Sequence, residues 1–182
     1  MTWLSQNKLN AIETDTTAIL VDTTSIESKV DTLDTNVDAL YDSGAKIVER
    51  TAAALPQATQ TAYFTVSGRV LITDITGEVT TQIEAQETVA KLIANPTVGA
   101  DVDLCALLDW TGDAVGTLYH ITGTVADAMV ATTSGAYTAQ ALPLVVAAGT
   151  IDLDTDNDSS TGETKWILSY LPLDDGATVV VA

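Results

Sequence analysis

The sequence predicts a mainly β protein with an N-terminal α-helical coiled coil, and a C-terminal domain of β-sandwich or jelly-roll type. Three observations carry this. Apolar residues recur every seven positions through the first fifty or so residues; from about Gln60 short β-branched runs alternate with Gly, Pro, Asp and Asn; and no strand–helix–strand alternation occurs. The first is the period of a coiled-coil seam, the second that of antiparallel strands, and the third argues against a nucleotide-binding α/β fold. The expected division is a helical stalk over 1–50, a linker over 51–60 and a β-sandwich domain over 61–182.

The stalk comes first in the chain. Leu9, Thr16, Thr23, Val30 and Val37 form one heptad series, which Gly44 ends; Ile12, Ile19, Ile26, Leu33, Leu40 and Ile47 form the other. Read as a and d, the residues from Leu9 to Leu40 are the expected oligomerisation surface. A helix from Leu9 to Ile47 would be roughly 60 Å long. Isoleucine at d with β-branched residues at a leans away from a dimer, so a parallel homotrimer is favoured over a dimer or tetramer. A lone helix folded back on its own domain would show a wider apolar stripe. Stretches such as "ETDTT" and "VDTLDTNVD" are poor helix formers, so association rather than propensity is expected to hold the helix.

"RTAAALPQATQT", with Pro56, reads as the linker. The strands follow as "TAYFTV", "RVLITDITGEVTTQIE", "ETVAKLIA", "DVDLCALL", "GTLYHITG", "ALPLVVAA", "KWILSYLP" and "ATVVVA", with "VSGRV" as a tight turn between the first two. "VADAMVATT" fits a short helix or a further strand. Repeated short strands with turn signals suggest a sandwich or jelly roll. The core is expected to be aliphatic, since the chain has one Phe and three Trp.

Composition limits the partners. Twenty-five acids against seven bases give a net charge of −18. Nucleic acid needs clustered Lys and Arg, and an anionic membrane surface repels such a chain, so neither is expected as a partner. No apolar run is long enough for a membrane-spanning helix, and the N-terminus lacks the pattern of a secretory signal. Synthesis in the cytoplasm is the expectation.

Little in the sequence points to catalysis. Cys105, the one cysteine, sits in an apolar run and reads as an inert buried thiol. His120, the one histidine, lies on an expected strand with no motif pairing it to a nucleophile. Phosphate-loop spacing is absent, and no cofactor and no catalytic residue is assigned.

"DLDTDNDSSTGE", Asp152 to Glu163, comes nearest to a metal motif. Asp152, Asp154, Asp156, Asp158 and Glu163 approach the ligand spacing of an EF-hand loop, but Asn157 replaces the turn glycine and the flanks read as strands rather than helices. Alternate strand residues share a face, so Asp152, Asp154 and Asp156 are expected to line one side of an acidic hairpin tip. No metal ligand is assigned there, with a calcium site of another kind as the alternative.

The segments "TAAALPQATQTAYFTVSGRVLITDITGEVTT", "KLIANPTVGADVDLCALLDW", "GTLYHITG", "AGTIDL" and "TKWILSYLPLDDGATVVVA", covering roughly 51–182, resemble a domain of structural proteins in tailed-bacteriophage virions. The heptad half is similar to phage fibre stalks in general terms. The resemblance implies a non-enzymatic virion component: a homotrimeric capsid decoration, cement or head-fibre protein whose partners are itself and the major capsid protein or other virion proteins. The alternative is a tail fibre or spike adhesin binding a host-surface glycan, with Tyr137, Trp110 or Tyr119 as exposed contacts. It carries over no functional residue.

Overall fold

A computed structural model describes residues 3–42, 44–157 and 161–182. The chain divides into two units, Met1–Ser43 and Gly44–Ala182.

The first unit is one helix, α1, Trp3–Asp42. It lacks the usual end complements: the first turn has no acid and the last turn no base, so nothing offsets the helix dipole. Its threonines turn inward on the backbone. Thr14, Thr16, Thr17, Thr23, Thr24, Thr32 and Thr35 each donate a hydroxyl to the carbonyl four residues earlier. Such bonds satisfy the hydroxyls but weaken a helix slightly.

The helix stops at Asp42, short of the stalk end expected at residue 50. Ile47, the last member of the d series, belongs instead to β1, Lys46–Ala54. That strand also absorbs the start of the segment expected to be a linker, and β2, Thr59–Ser67, absorbs its end. The reason is pairing: β1 runs antiparallel to β11, Glu163–Pro172, from Lys46↔Tyr170 to Ala54↔Glu163. Between β1 and β2, Leu55 is buried in the core and the Pro56 carbonyl accepts the Thr155 hydroxyl at 2.7 Å. Small residues make a plausible linker and an equally serviceable edge strand; only the partner strand distinguishes them.

The remaining strands are β3 Val70–Thr81, β4 Thr88–Pro96, β5 Val102–Asp103, β6 Leu108–Asp109, β7 Leu118–His120, β8 Val130–Thr132, β9 Leu144–Val146, β10 Gly149–Asn157 and β12 Thr178–Val181. "VADAMVATT" thus contributes a strand, and "DVDLCALL" holds two short ones rather than one. Every named strand pair is antiparallel. The first sheet has the order β1-β11-β3-β7-β8, with β9 also on β3; the second has β12-β2-β10-β4-β5, with β6 also on β4.

The two sheets share one core. Ile72, Ile75, Val79, Trp166 and Leu168 come from the first; Tyr63, Phe64, Leu92, Ile151 and Leu153 from the second. The core is largely aliphatic, as expected, and most of the few aromatics are gathered within it. Trp110 stacks on Tyr119 with centroids 4.3 Å apart, and Trp166 lies 6.2 Å from both Trp110 and Tyr63. Trp166 also donates its indole N–H to the Thr164 hydroxyl at 3.1 Å.

Candidate functional site

The predicted oligomerisation residues form a bare stripe on α1. Leu9, Ile12, Ile19, Ile26, Val30 and Leu33 are between 46% and 65% exposed. Thr16 and Thr23 are exposed as well, with their hydroxyls bonded to the carbonyls of Ile12 and Ile19. Each can therefore enter an apolar seam without leaving an unpaired hydroxyl behind. Val37 and Leu40 are in the helix, but their side chains lie outside the described residues. Two apolar residues escaped the heptad reading: Leu20, beside the seam, and Val21, on the outer surface, are 63% and 64% exposed.

The acidic stretch is arranged differently from a hairpin. β10 pairs with β2 and β4 in the second sheet, whereas β11 pairs with β1 and β3 in the first. The chain from Asp152 to Glu163 therefore crosses from one sheet to the other. Asp158 lies outside the described residues. On β10 the alternation holds: Ile151, Leu153 and Thr155 are buried, and Asp152, Asp154 and Asp156 occupy the opposite face. The carboxylates have separate occupations. Asp152 Oδ2 accepts the side-chain amides of Gln60 at 2.7 Å and Asn95 at 3.2 Å. Lys91 holds Asp103 at 2.9 Å and reaches Asp154 at 4.0 Å. Glu163 accepts the Thr81 hydroxyl at 2.9 Å. Among the described residues no three His, Cys, Asp or Glu side chains converge as a metal site.

On the outer side of the first sheet, a hollow of about 220 Å³ is lined by Asp74, Thr76, Gly77, Glu78, Leu118, Tyr137, Lys165 and Ile167. Small-molecule sites usually have roughly 300–1,000 Å³. Its geometry follows from strand alternation, because Ile75, Gly77 and Val79 point inward while Thr76 and Glu78 point out. Glu78 faces Lys165 across the sheet and binds it at 2.8 Å. The segment after β8 brings Tyr137 over the sheet, where its hydroxyl donates to Asp74 at 3.0 Å and meets the Thr76 hydroxyl at 2.5 Å. Gln140 anchors the same segment by donating its backbone N–H to Asp74 and its side-chain amide to the Leu142 carbonyl.

His120 sits beneath this segment, buried, with its ring 4.7 Å from that of Tyr137. Burial lowers its pKa, and the Asp74 charge opposes that shift. Cys105 is buried, its sulfur accepts the Leu92 N–H at 3.3 Å, and burial raises its pKa to about 11. Thiolate reactivity at neutral pH is correspondingly suppressed. No described hydrogen bond joins His120 to Cys105 or to a serine.

The exposed-aromatic expectation needs correcting. Trp110 and Tyr119 are fully buried, and the Tyr119 hydroxyl donates to Asp113 at 2.6 Å. Burial, reinforced by that bond, raises the Tyr119 pKa. Both side chains fill the core between the sheets and offer no surface to a ligand; Tyr137 alone of the three is half-exposed.

Compared with family models, curated proteins and solved structures, the chain matches none.

Proposed function

We propose that the protein is a non-enzymatic structural component of a tailed-bacteriophage virion: a homotrimeric capsid decoration, cement or head-fibre protein. One observation carries the reading. A forty-residue helix displays a heptad stripe of exposed apolar residues from Leu9 to Leu33, interrupted only by Thr16 and Thr23, with no covering element described in its own unit. A narrow apolar stripe of this kind is stable in water when copies of the helix cover it.

Charge supports a parallel arrangement. In a parallel coil, position g of one helix faces position e, five residues on, of its neighbour. Lys8 then meets Glu13 of the neighbouring copy, and Lys29 meets Asp34. Asp22 meets Glu27, a like pair that weakens the middle of the rod. Isoleucine at d, with Thr and Val at a, favours three strands over two.

For the β unit we read the two sheets as a jelly roll. Supporting this are successive connections that change sheet, at β1–β2, β2–β3, β3–β4, β6–β7, β9–β10, β10–β11 and β11–β12. On this reading β1-β11-β3-β7 face β2-β10-β4, with the short β5 and β6 together taking the eighth place, and the order is that of two interleaved Greek keys. Fold alone assigns no activity. The non-enzymatic reading rests on a buried, high-pKa thiol and a histidine without a nucleophile. Against nucleic acid as a partner stands the pairing of Arg69, Lys91 and Lys165 with carboxylates.

A threefold protein suits the threefold and quasi-threefold positions of a capsid, where equal contacts repeat and weak ones add into avidity. Cryo-EM of particles carrying the protein tests the reading: density on the head with threefold symmetry is expected, and density confined to the tail rejects it.

The second reading, a tail fibre or spike adhesin for a host-surface glycan, is favoured by the hollow. Its lining combines the polar groups of Thr76, Glu78 and Lys165 with apolar Leu118 and Ile167. Particles lacking the protein that adsorb normally would remove that reading.

A further inference from the structure

Between β8 and β9, residues 133–143 belong to no strand. All of them are exposed except two: Tyr137 is half-buried and Gln140 is buried. One carboxylate holds both. Asp74 Oδ2 accepts the Tyr137 hydroxyl at 3.0 Å and the Thr76 hydroxyl at 2.9 Å, and its Oδ1 accepts the Gln140 N–H at 3.3 Å. The Gln140 side-chain amide adds a bond of 3.5 Å to the Ile72 carbonyl. Past this clasp the Ala141 and Leu142 N–H groups donate to the Thr122 carbonyl and fix the far end of the segment.

His120 lies under the clasp. Its ring stacks on that of Tyr137, and its Nδ1 is buried with no partner among the described residues. A neutral imidazole tolerates this, because a ring nitrogen without a proton is only an unused acceptor. Protonation makes both nitrogens donors and adds a charge, and a buried charged donor without an acceptor is strongly unfavourable. Two movements relieve it. The ring reaches water if Tyr137 moves off it. Alternatively Nδ1 turns to Asp74, whose charge already acts on the ring, and takes from Tyr137 and Gln140 the carboxylate that holds them. Either movement undoes the clasp.

Few other charges bear on His120. The segment over it has no ionisable side chain besides Tyr137, and β8 reads Val-Ala-Thr. On β3, Asp74 is joined by Glu78, which Lys165 holds at 2.8 Å. Burial keeps the Tyr137 phenol above its ordinary range, so it stays neutral where a histidine titrates.

We infer that residues 133–143 form a pH-sensitive strap, clasped to β3 by Asp74 while His120 is neutral and released when His120 takes up a proton. Burial lowers the His120 pKa in the closed state, whereas the released ring returns toward its ordinary value. The open form therefore binds the proton more tightly, and acid shifts the strap open. Asp74 and Tyr137 both line the hollow on this sheet, so release takes Tyr137 away from it, and the hollow is a feature of neutral pH. The inference depends neither on the trimer nor on the virion reading.

The test uses the full-length protein. Amide hydrogen exchange, corrected for the intrinsic pH dependence of exchange, is measured at about pH 8 and about pH 5, on either side of the ordinary histidine value. Protection of the Gln140, Ala141 and Leu142 amides is expected to fall at least about threefold on acidification in the wild type, while that of β10 and β11 holds. In His120→Gln the strap amides should show no such fall. Should that variant not fold, NMR titration of the wild type decides: the His120 imidazole and Tyr137 ring signals should move together, with one midpoint below about pH 6.5. Strap protection independent of pH overturns the inference. So does protection that rises in acid, as it would if protonated Nδ1 bonded to Gln140 Oε1, itself buried without a partner. A fall of equal size in His120→Gln, or one shared by β10 and β11, overturns it as well.

Discussion

Trp166 stands where a side chain on Gly77 would be. The two are register partners on β11 and β3, and a Cβ on Gly77 would fall 2.7 Å from the indole. Gly77 is needed for the close approach and not for an unusual backbone angle. The indole it admits is the centre of the aromatic group that joins the sheets.

Gly77→Ala is therefore expected to destabilise the β unit by about 1–3 kcal/mol, the usual cost of overpacking a core. Denaturant titration followed by tryptophan fluorescence reads this directly. An unchanged or raised midpoint would show that the indole moves aside freely.

Trp110→Ala should cost more, about 3–5 kcal/mol, because it removes a fully buried aromatic and leaves a cavity. Tyr119, which stacks on it, should lose its fixed environment, seen as a loss of near-ultraviolet circular dichroism. If Trp110 were instead a ligand contact, stability would hardly change.

His120 makes stability depend on pH. Its folded pKa lies below the ordinary value of 6.5, chiefly through burial, so the unfolded chain binds the proton more readily. Stability from this group is complete above about pH 6.5 and declines as pH falls through the folded pKa. The groups facing it are Asp74, which opposes the shift, and Tyr137, whose ring stacks on it. His120→Gln should flatten this part of the curve. A wild-type stability that rises on acidification across that window would reverse the sign.

Asp22→Lys should strengthen the rod. In the parallel arrangement it replaces a like-charge meeting with Glu27 of the neighbouring copy by an opposite one, worth roughly 0.2–1 kcal/mol per pair. The melting temperature of the helix signal is expected to rise, and the rise to shrink in high salt. An antiparallel assembly would not follow this pattern.

The acidic stretch should not bind calcium in the millimolar range. Gln60 and Asn95 donate to Asp152, Lys91 reaches Asp154 and Thr81 donates to Glu163, and Asp152 and Glu163 belong to different sheets. Calorimetric heat with calcium that disappears in Asp154→Asn would contradict this assignment.

The features legible in the sequence are those set by local periodicity. The seven-residue recurrence from Leu9 to Leu33 marks α1, and alternation marks β2, β3, β4 and β11. Sheet membership was not legible. A short polar stretch after Asn157 reads the same in sequence whether the strands on either side pair with each other or lie in different sheets. Ile47 fitted a heptad by spacing, yet Lys46–Ala54 became a strand because β11 offered a partner. Trp110 and Tyr119 flank loops and so resembled surface aromatics; their burial depends on Gly77, Trp166 and Tyr63, which come from distant parts of the chain.

Self-association through the α1 seam is the central claim, and the mass of the full-length protein in solution tests it most directly. Sedimentation at micromolar concentration should give three chains of 19.0 kDa each, and the double substitution Ile19→Asp, Ile26→Asp should reduce this to single chains or to a weak, concentration-dependent remnant. A wild type that sediments as one chain, or a trimer indifferent to both aspartates, would contradict it.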